Sequence, residues 1–408
     1  MIRRKSRLLA VFMMGALISS MLTLAGCWDL RYLDKLGVVM ALGIDEDPSG
    51  QHLLQVTAQV VLTQNASADT KVVSSGPPVT IFTETGDTLF EAIRKMSSKT
   101  SRRLFFSHTQ MLIISEGIAK KGIYPLLDLI ERNPDIRGDI SVAIIQSASA
   151  KDLLDMTMQL ESIPANQLYQ SILVNEFSYG SNHHVTVQDI IRVAGMGKEQ
   201  VAVPAIRIIG NNENKSKEDN ITPIQPESYP TVASMAVFRK GKLAGYLTPT
   251  ESRGYGWLKN KIVSTVVKLQ CPNEKRNLMV EIQKSISAVK SKIDDKGMPV
   301  IKVRIDIMAS IREVMCSSLS VTDEAVLKQI SDQTSKAIEE EIEATVRTLQ
   351  KRLKSDVLGW GTLIYRERPS LWKKINQEWP NLFSNIEYEI VCKTIIKGAG
   401  VRDDAVLE

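Results

Sequence analysis

Residues 300–311, "VIKVRIDIMASI", decide the fold class of this chain. Six apolar side chains recur at every second position of this stretch, which is the period of a β-strand with one buried face. The side chains expected on the buried face are Ile301, Val303, Ile305, Ile307, Ala309 and Ile311, against Lys302, Arg304, Asp306 and Arg312 on the other face. The stretch therefore predicts a strand in a sheet that is covered on one side.

The segment that follows predicts the cover. From about Val321 to Leu358, apolar residues recur at helical spacing and predict one long helix, which Gly359 and Gly361 would end. Its apolar stripe consists of Val326, Ile330, Ile338, Ile342, Val346, Leu349, Leu353 and Val357. A sheet and a helix that each have one apolar face can cover one another. We therefore expect four or five mostly antiparallel strands with one long helix across them.

The N-terminal part of the chain alternates strand and helix patterns. "LGVVMALGIDED" (36–47) and "HLLQVTAQVVL" (52–62) predict a hairpin with one buried side, and strands then interleave with helices up to "VAVPAIRIIG" (201–210). Pro204 in the last stretch indicates an edge strand. The fold class expected for the whole chain is α+β and multi-domain, with mixed or antiparallel sheets each covered by helices, and the long helix on the C-terminal sheet.

Composition changes suggest the domain boundaries. Residues 1–26 are predicted to be a lipoprotein signal peptide, 27–195 an N-terminal α/β region, 196–228 a linker and 229–404 a C-terminal α+β domain. The clearest boundary is 211–228, which combines charge, Asn and Pro with little to bury. A small middle domain that starts near residue 150 remains an alternative division.

The first 27 residues look like an export and anchoring signal. A basic stretch, "RRKSR" (3–7), precedes an almost wholly apolar run that leads to Leu24, Ala25, Gly26 and Cys27. Two small residues before a cysteine resemble the bacterial lipobox, in which a peptidase cuts before the Cys and the thiol carries diacylglycerol. A single acyl chain holds a protein only marginally to a bilayer, whereas two or more hold it durably. An uncleaved N-terminal membrane anchor is the alternative.

Composition and cysteine spacing exclude several classes of protein. Of the 408 residues, 43% are apolar and 24% charged, which is globular, and four positive charges in the first seven residues account for most of the net +5. Bulk charge therefore gives no support to nucleic-acid binding. Cys271, Cys316 and Cys392 are isolated and odd in number, so neither a zinc site nor a disulfide framework is indicated. Cys392 shares an apolar face and is expected to be a buried thiol.

The polar candidates do not assemble into a catalytic set. The sequence has no phosphate-binding loop, nucleophile elbow or zinc-protease motif. The pair His183-His184 is more simply a surface loop than a metal site, because no third ligand lies nearby. Glu251 and Arg253, beside Gly254, are expected to form a structural ion pair at a helix start. We therefore predict no enzyme, no catalytic or metal residues, and no cofactor apart from acyl groups on Cys27.

Several stretches resemble one known family. Cys27-Trp28-Asp29 followed by a strand that ends Gly43-Ile44-Asp45 is similar to the start of the mature spore germination receptor C subunits, the Ger(x)C family. Three further stretches, in the same order as in that family, are "HTQMLIISEGIAK" (108–120), "FRKGKLAGYLTPTESRG" (238–254) and "QKRLKSDVLGWG" (350–361). Trp28, Asp29, Glu251, Arg253 and Gly254 lie in these stretches and are candidates for structural or partner contacts.

The resemblance implies a lipoprotein on the outer face of the spore inner membrane, built of three α+β domains. It would act with A and B subunits in a nutrient germinant receptor, as a non-catalytic scaffold or coupling component. Direct binding of a small-molecule germinant stays open. The alternative function is a solute-binding lipoprotein that captures a nutrient for a transporter, although the C-terminal pattern lacks the repeated βαβ units of such proteins. An exported hydrolase would need a nucleophile with a partner, which the sequence does not offer.

Overall fold

The computed structural model describes residues 12–15, 35–62, 78–210, 224–271, 274–317, 319–321 and 323–397. The lipobox residues Leu24, Ala25 and Gly26, the lipidation site Cys27, and Trp28 and Asp29 lie outside the described residues, so their roles stay predictions. Within the described part, none of the helices combines the length and the apolar character that crossing a bilayer requires.

A nine-stranded mixed sheet organises the N-terminal part of the described chain. Its strands are β1 (Leu36–Glu46), β2 (Leu54–Val61), β3 (Val79–Gly86), β4 (Arg103–Phe105), β5 (Met111–Ser115), β6 (Ser141–Ile145), β7 (Ala202–Gly210), β8 (Ser228–Arg239) and β9 (Lys242–Tyr246). The order is β3-β2-β1-β5-β6-β7-β8-β9, with β4 beside the start of β1. The central pairs from β1 to β7 are parallel, and antiparallel hairpins flank them. Parallel strands need crossover connections, so this topology brings helices onto the sheet.

Helices cover both faces of this sheet. They are α1 (Leu89–Lys95), α2 (Glu116–Lys121), α3 (Tyr124–Arg132), α4 (Ala150–Leu154), α5 (Pro164–Ser178) and α6 (Val187–Met196). One core contains apolar residues of α1, α2, α3 and α6, and the other contains those of α4 and α5. Thr88, Ser149 and Thr186 cap the starts of α1, α4 and α6, since each side-chain oxygen accepts a backbone N–H three residues later.

Strand β2 is buried on both sides, where the sequence predicted one exposed polar face. Thr57 and Gln59 are both fully buried. The Gln59 amide nitrogen donates to the Leu154 carbonyl at 2.8 Å, and the Ala165 N–H donates to the Gln59 side-chain oxygen at 3.1 Å. The alternation of polar residues predicted an exposed face, but α4 and α5 cover this face and provide hydrogen-bond partners for the Gln59 side chain.

The predicted linker 196–228 includes a strand of the large sheet. Strand β7 lies between β6 and β8, and β8 and β9, at the start of the predicted C-terminal domain, extend the same sheet. Residues 211–227 therefore connect two antiparallel neighbours. The chain leaves the large sheet only after Tyr246. The Pro204 edge prediction is wrong, because β7 lies between β6 and β8. The proline is tolerated in this strand because the pairing with β6 starts only at Ala205, so that its nitrogen need not donate a hydrogen bond to β6.

The C-terminal part of the chain has its own four-stranded sheet. Its strands are β10 (Thr265–Gln270), β11 (Asn277–Ile293), β12 (Pro299–Val314) and β13 (Glu387–Ile396), in that order, and only the β12–β13 pair is parallel. The helices of this part are α7 (Pro249–Leu258), α8 (Glu324–Arg347), α9 (Trp360–Glu367), α10 (Pro369–Ile375) and α11 (Trp379–Phe383). All six apolar residues predicted to face the core from β12 are buried, which confirms that strand.

The long helix covers this sheet as predicted, but it ends earlier. Helix α8 is extended by a π-helical segment, Thr348–Leu353, and Lys354 then adopts a left-handed conformation with φ of 49°. Gly359 does not end the helix but precedes α9, with φ of 76°. The apolar pattern up to Val357 continues past the helix because Val357 and Leu358 belong to the same core.

The free edge of β13 is closed by polar side chains of α8. The Cys392 N–H donates to the Glu339 carboxylate at 2.8 Å, and the Thr394 N–H donates to the Ser335 hydroxyl at 3.0 Å. An uncovered edge would be a template for pairing with another strand. The predicted buried thiol is confirmed, since Cys392 is buried and unpaired.

A disulfide between Cys271 and Cys316 corrects the sequence-based view that no disulfide is indicated. The two Cα atoms lie 5.6 Å apart, although the residues are separated by 45 positions. Cys271 directly follows β10 and Cys316 follows β12, and the antiparallel register across β11 brings these two ends together. No local spacing in the sequence could indicate a pair made by sheet register.

Candidate functional site

The predicted residues Glu251, Arg253 and Gly254 lie at the start of α7, where it crosses α8. Thr248 and Glu251 form a capping box: the Thr248 N–H donates to the Glu251 carboxylate at 2.8 Å, and the Glu251 N–H donates to the Thr248 hydroxyl at 3.2 Å. Pro249 occupies the first turn, where its missing N–H is no loss. The sequence "TPTE" therefore sets the helix start, and with it the position of the next residues.

Glu251 and Arg253 do not pair with one another, so that prediction is wrong. Residues two apart on a helix point in different directions. Glu251 instead accepts a hydrogen bond from the Thr348 hydroxyl at 2.5 Å and lies 3.5 Å from an Arg352 guanidinium nitrogen. Arg253 forms a salt bridge with Glu341 in the middle of α8. Both residues therefore tie α7 to the long helix.

The Arg253–Glu341 pair is almost closed off from solvent. The Trp257 indole N–H also donates to Glu341, at 3.3 Å, and the Arg253 guanidinium lies 5.0 Å from the ring centroid of Tyr179, which directly follows α5. Burial raises the pKa of Glu341, while Arg253 and Trp257 act in the opposite direction. Glu341 can remain ionised in this buried position only because Arg253 is paired with it.

Gly254 is the point of closest approach between the two helices. A Cβ added there would lie 2.7 Å from the Glu341 carbonyl oxygen and collide with the Thr345 side chain. The Thr345 hydroxyl lies 2.9 Å from the Glu251 carbonyl oxygen and 2.8 Å from that of Glu341. Only glycine leaves room for this contact. The three predicted residues thus form one structural contact, which we call the α7–α8 lock (Glu251, Arg253, Gly254, Glu341 and Thr345).

A buried carboxylate, Asp356, organises the seam between the two sheets. It accepts N–H groups from Gly359 at 2.9 Å, Trp360 at 3.1 Å and Gly361 at 2.8 Å, and the Trp379 indole N–H at 3.0 Å. Burial raises the pKa of Asp356 to about 6 in spite of these donors. The sequence reasoning missed this residue, although an Asp three residues before "GWG" at a helix start is a recognisable anchoring pattern.

The same seam joins residues of both halves of the chain. Glu199, from the connection between α6 and β7, accepts a hydrogen bond from the Lys259 ammonium at 2.7 Å. The next N–H along the chain, that of Gln200, donates to the Asp356 carbonyl at 2.8 Å. A Cβ on Gly359 would lie 2.6 Å from the Glu199 carboxylate. The halves are therefore held together by buried polar contacts and close backbone approach.

His183 is buried and His184 is half-buried, which corrects the predicted surface loop. The His183 side chain is almost fully buried, its ring centroid lies 5.7 Å from that of Tyr255, and its Nδ1 lies 3.6 Å from the Glu176 carboxylate. Burial lowers the pKa of the neighbouring His184. The segment 181–185 fills space between β8 and α7, which sequence spacing could not show. No group of three metal-ligating side chains occurs in the part of the chain that the structure describes.

Comparison with known proteins assigns the chain to a family. The N-terminal domain family described as "Spore germination protein N-terminal domain" matches residues 29–208, and "Spore germination B3/ GerAC like, C-terminal" matches residues 233–400. The chain belongs to the GerAC family of spore germination proteins. The resemblance seen in the sequence is thereby confirmed. The family assignment covers both sheets, and the match begins two residues after Cys27.

Full-length relatives and a solved structure agree with this family. The chain is 28% identical to spore germination protein KC of Bacillus subtilis (strain 168), over 98% of this chain and 97% of that protein. It is 22% identical to spore germination protein B3 of the same organism, over 92% of this chain and 95% of that protein. The crystal structure of the GerBC protein superposes with a TM-score of 0.53 at 15% identity, over 90% of this chain and 100% of that one. That likeness shows that the GerAC-family fold is shared.

Proposed function

We propose that this chain is the C subunit of a nutrient germinant receptor, held at the outer face of the spore inner membrane by acyl groups on Cys27. The observation that carries the proposal is that the family match starts at residue 29, directly after the lipobox. The segment ahead of the family match then has the composition of a signal and an anchor.

The role is that of a non-catalytic scaffold or coupling component, with the A and B subunits as partners. This role is supported by the buried acidic side chains of the described residues, which are paired with donors inside the fold. The buried carboxylates of Glu341 and Asp356 are both occupied by donors from neighbouring helices. Such groups hold elements in fixed positions and are not available to a substrate. A chain fixed in this way can transmit force or position between partners.

The first test is chemical. Mature protein from spores should carry acyl groups on Cys27, and Cys27→Ala should abolish both the label from radioactive palmitate and retention in the membrane fraction. Cys392→Ala is the matched control, because it removes a buried thiol outside the lipobox and should leave the label unchanged. Unmodified Cys27, or a product that keeps residues 1–26, would overturn the anchoring proposal.

The second test concerns partners. The tagged chain, solubilised from spore membranes, should co-purify with the A and B subunits, and a null strain should lose the germination response to nutrients. Recovery without either subunit would contradict the receptor role. Tight binding of an amino acid or sugar to the purified chain by calorimetry would favour the alternative, a solute-binding lipoprotein. Against it stands the C-terminal half, which has a mostly antiparallel sheet and one long helix where that class has a second βαβ lobe.

A further inference from the structure

The face of the C-terminal sheet that is turned away from α8 is open to solvent. We call it the outer face and define it by residues 266 and 268 of β10, the even-numbered residues 284–292 of β11 and 300–308 of β12, and the odd-numbered residues 387–395 of β13. Alternate residues of these strands point to the core, such as Ile305 with no exposed area. On the outer face, Ile286, Val391 and Ile395 are 52%, 57% and 53% exposed. Exposed aliphatic side chains of this size on one flat surface indicate an interaction site.

The outer face is also strongly basic. Its basic side chains are Lys268, Lys284, Lys290, Lys292, Lys302, Arg304 and Lys393, and its acidic side chains are Asp306, Glu387 and Glu389. Lys302 pairs with Glu389, and Arg304 pairs with Asp306 at 2.9 Å. The remaining five lysines are exposed and have no salt bridge within the described residues, and Glu387 is the acid left to offset them. The face therefore presents a surplus of positive charge to solvent.

The sheet register mixes these lysines with the aliphatic residues. Across β11, β12 and β13, one row is Lys284, Met308 and Ile395, and the next is Ile286, Asp306 and Lys393. Ala288, Arg304 and Val391 form the row after that. Long lysine side chains that surround short aliphatic ones can place their ammonium groups at a charged surface while the aliphatic side chains make shallow apolar contact.

The residue types favour a lipid surface over a protein as the occupant. Interfaces between proteins are enriched in aromatic residues and Arg and depleted in Lys. The outer face carries Lys in excess and has no aromatic side chain among the positions that define it. Anionic bilayers attract lysines near their surface, and exposed aliphatic side chains enter the headgroup boundary.

We propose that the outer face binds the surface of an anionic lipid bilayer, as a second membrane contact beside the acylated Cys27. The part of this that depends on the proposed function is the proximity of a membrane; the charge and shape of the face do not depend on it. One acyl anchor leaves a chain free to rotate about its attachment point. A second, electrostatic contact would fix which side of the C-terminal sheet faces the membrane and which faces partner subunits.

The test uses the full mature chain with Cys27→Ser, so that binding does not depend on lipidation. Sedimentation with vesicles that contain phosphatidylglycerol should show binding that weakens as salt is added, and vesicles of pure phosphatidylcholine should bind much less. The triple variant Lys290→Gln, Lys292→Gln, Lys393→Gln should bind the anionic vesicles on the order of a hundredfold more weakly, since each lysine near such a surface contributes about fivefold.

The matched control has the same change in charge on other elements. Lys328→Gln, Lys336→Gln and Lys373→Gln remove three exposed lysines of α8 and α10, and should leave vesicle binding within about twofold of the parent chain. Equal loss in both triple variants, or no binding of the parent chain to anionic vesicles, overturns the proposal. If the outer-face lysines are instead needed for co-purification with the A or B subunit, the face is a protein interface. All of these outcomes are independent of whether Cys27 is acylated.

Discussion

Arg253 on α7 and Glu341 on α8 form a salt bridge whose side chains are only 11% and 13% exposed. We expect Arg253→Met to destabilise the fold by about 3 kcal/mol, because it leaves a carboxylate buried without its partner. Arg253→Met combined with Glu341→Leu should recover much of the loss, since no unpaired charge remains. Urea denaturation of the two variants measures this. Arg304→Met, at an exposed pair, is the control and should change stability little.

Replacement of Gly254 should separate α7 from α8. Gly254→Ala places a methyl group against the Thr345 side chain and the Glu341 carbonyl, and we expect a loss of about 2–3 kcal/mol. The control is Gly195→Ala in α6, where a Cβ meets no atom within 4 Å and alanine favours the helix. Thermal unfolding should show a lower Tm for the first variant alone. Equal Tm values would contradict the close approach at Gly254.

Asp356 should make stability depend on pH between about 4 and 6. Its pKa in the folded chain is about 6, against an ordinary value of 3.8, because burial disfavours its charged form. The folded state therefore binds the proton more tightly than the unfolded state. The contribution of Asp356 to stability falls as pH rises through this window, by about 2–3 kcal/mol in total.

Asp356→Asn is the variant that isolates this titration. It cannot ionise, so the difference in unfolding free energy between it and the parent chain should widen as the pH falls from 6 to 4. It should also be less stable at every pH in this range, because an amide nitrogen would face the Gly361 or Trp379 N–H donors. Urea denaturation at several pH values measures both effects. A difference that is constant with pH would mean that Asp356 keeps an ordinary pKa.

The Cys271–Cys316 disulfide should stabilise the C-terminal sheet. It closes a loop of 45 residues, for which chain entropy predicts a contribution of about 4 kcal/mol. We expect reductant to lower the Tm of the parent chain and to leave the Tm of the double variant Cys271→Ser, Cys316→Ser unchanged. A parent chain that is indifferent to reductant would argue against the bond.

Cys392 should not react in the folded chain. Burial, and secondarily Glu339, raises the pKa of its thiol to about 12, so almost no thiolate is present near neutral pH. Native alkylation followed by mass spectrometry should leave Cys392 unmodified, whereas denatured and reduced protein should be alkylated there. Modification under native conditions at the rate of a free thiol would show that β13 opens from α8.

The elements with strong periodicity could be predicted from the sequence. The alternation of β12 specified a strand with one buried face, and the stripe of α8 specified the helix on top of it. The helix caps Thr88, Ser149 and Thr186 are local features of the same kind, since each binds the N–H of a residue three positions later. These features depend on residues within about one turn or a few residues of one another, so the sequence displays them directly.

The residues of the candidate site could be identified from the sequence, but their contact partners could not. Glu251, Arg253 and Gly254 were identified as a group, yet the partner of Arg253 lies 88 positions further on. The disulfide, the Asp356 anchor and the burial of His183 were missed for the same reason. Each depends on which elements become neighbours after folding, and neither periodicity nor spacing carries that information.

The sequence by itself determined the secondary structure of the C-terminal sheet and its long helix, the family, and the cysteine expected to carry the anchor. Only the tertiary structure decided that β7, β8 and β9 complete the large sheet, that Cys271 meets Cys316, and that one face of the small sheet stays open and basic. The physical reason is that local pattern fixes which face of each element is apolar, whereas partner choice is set by long-range packing, in which several arrangements would bury the same faces.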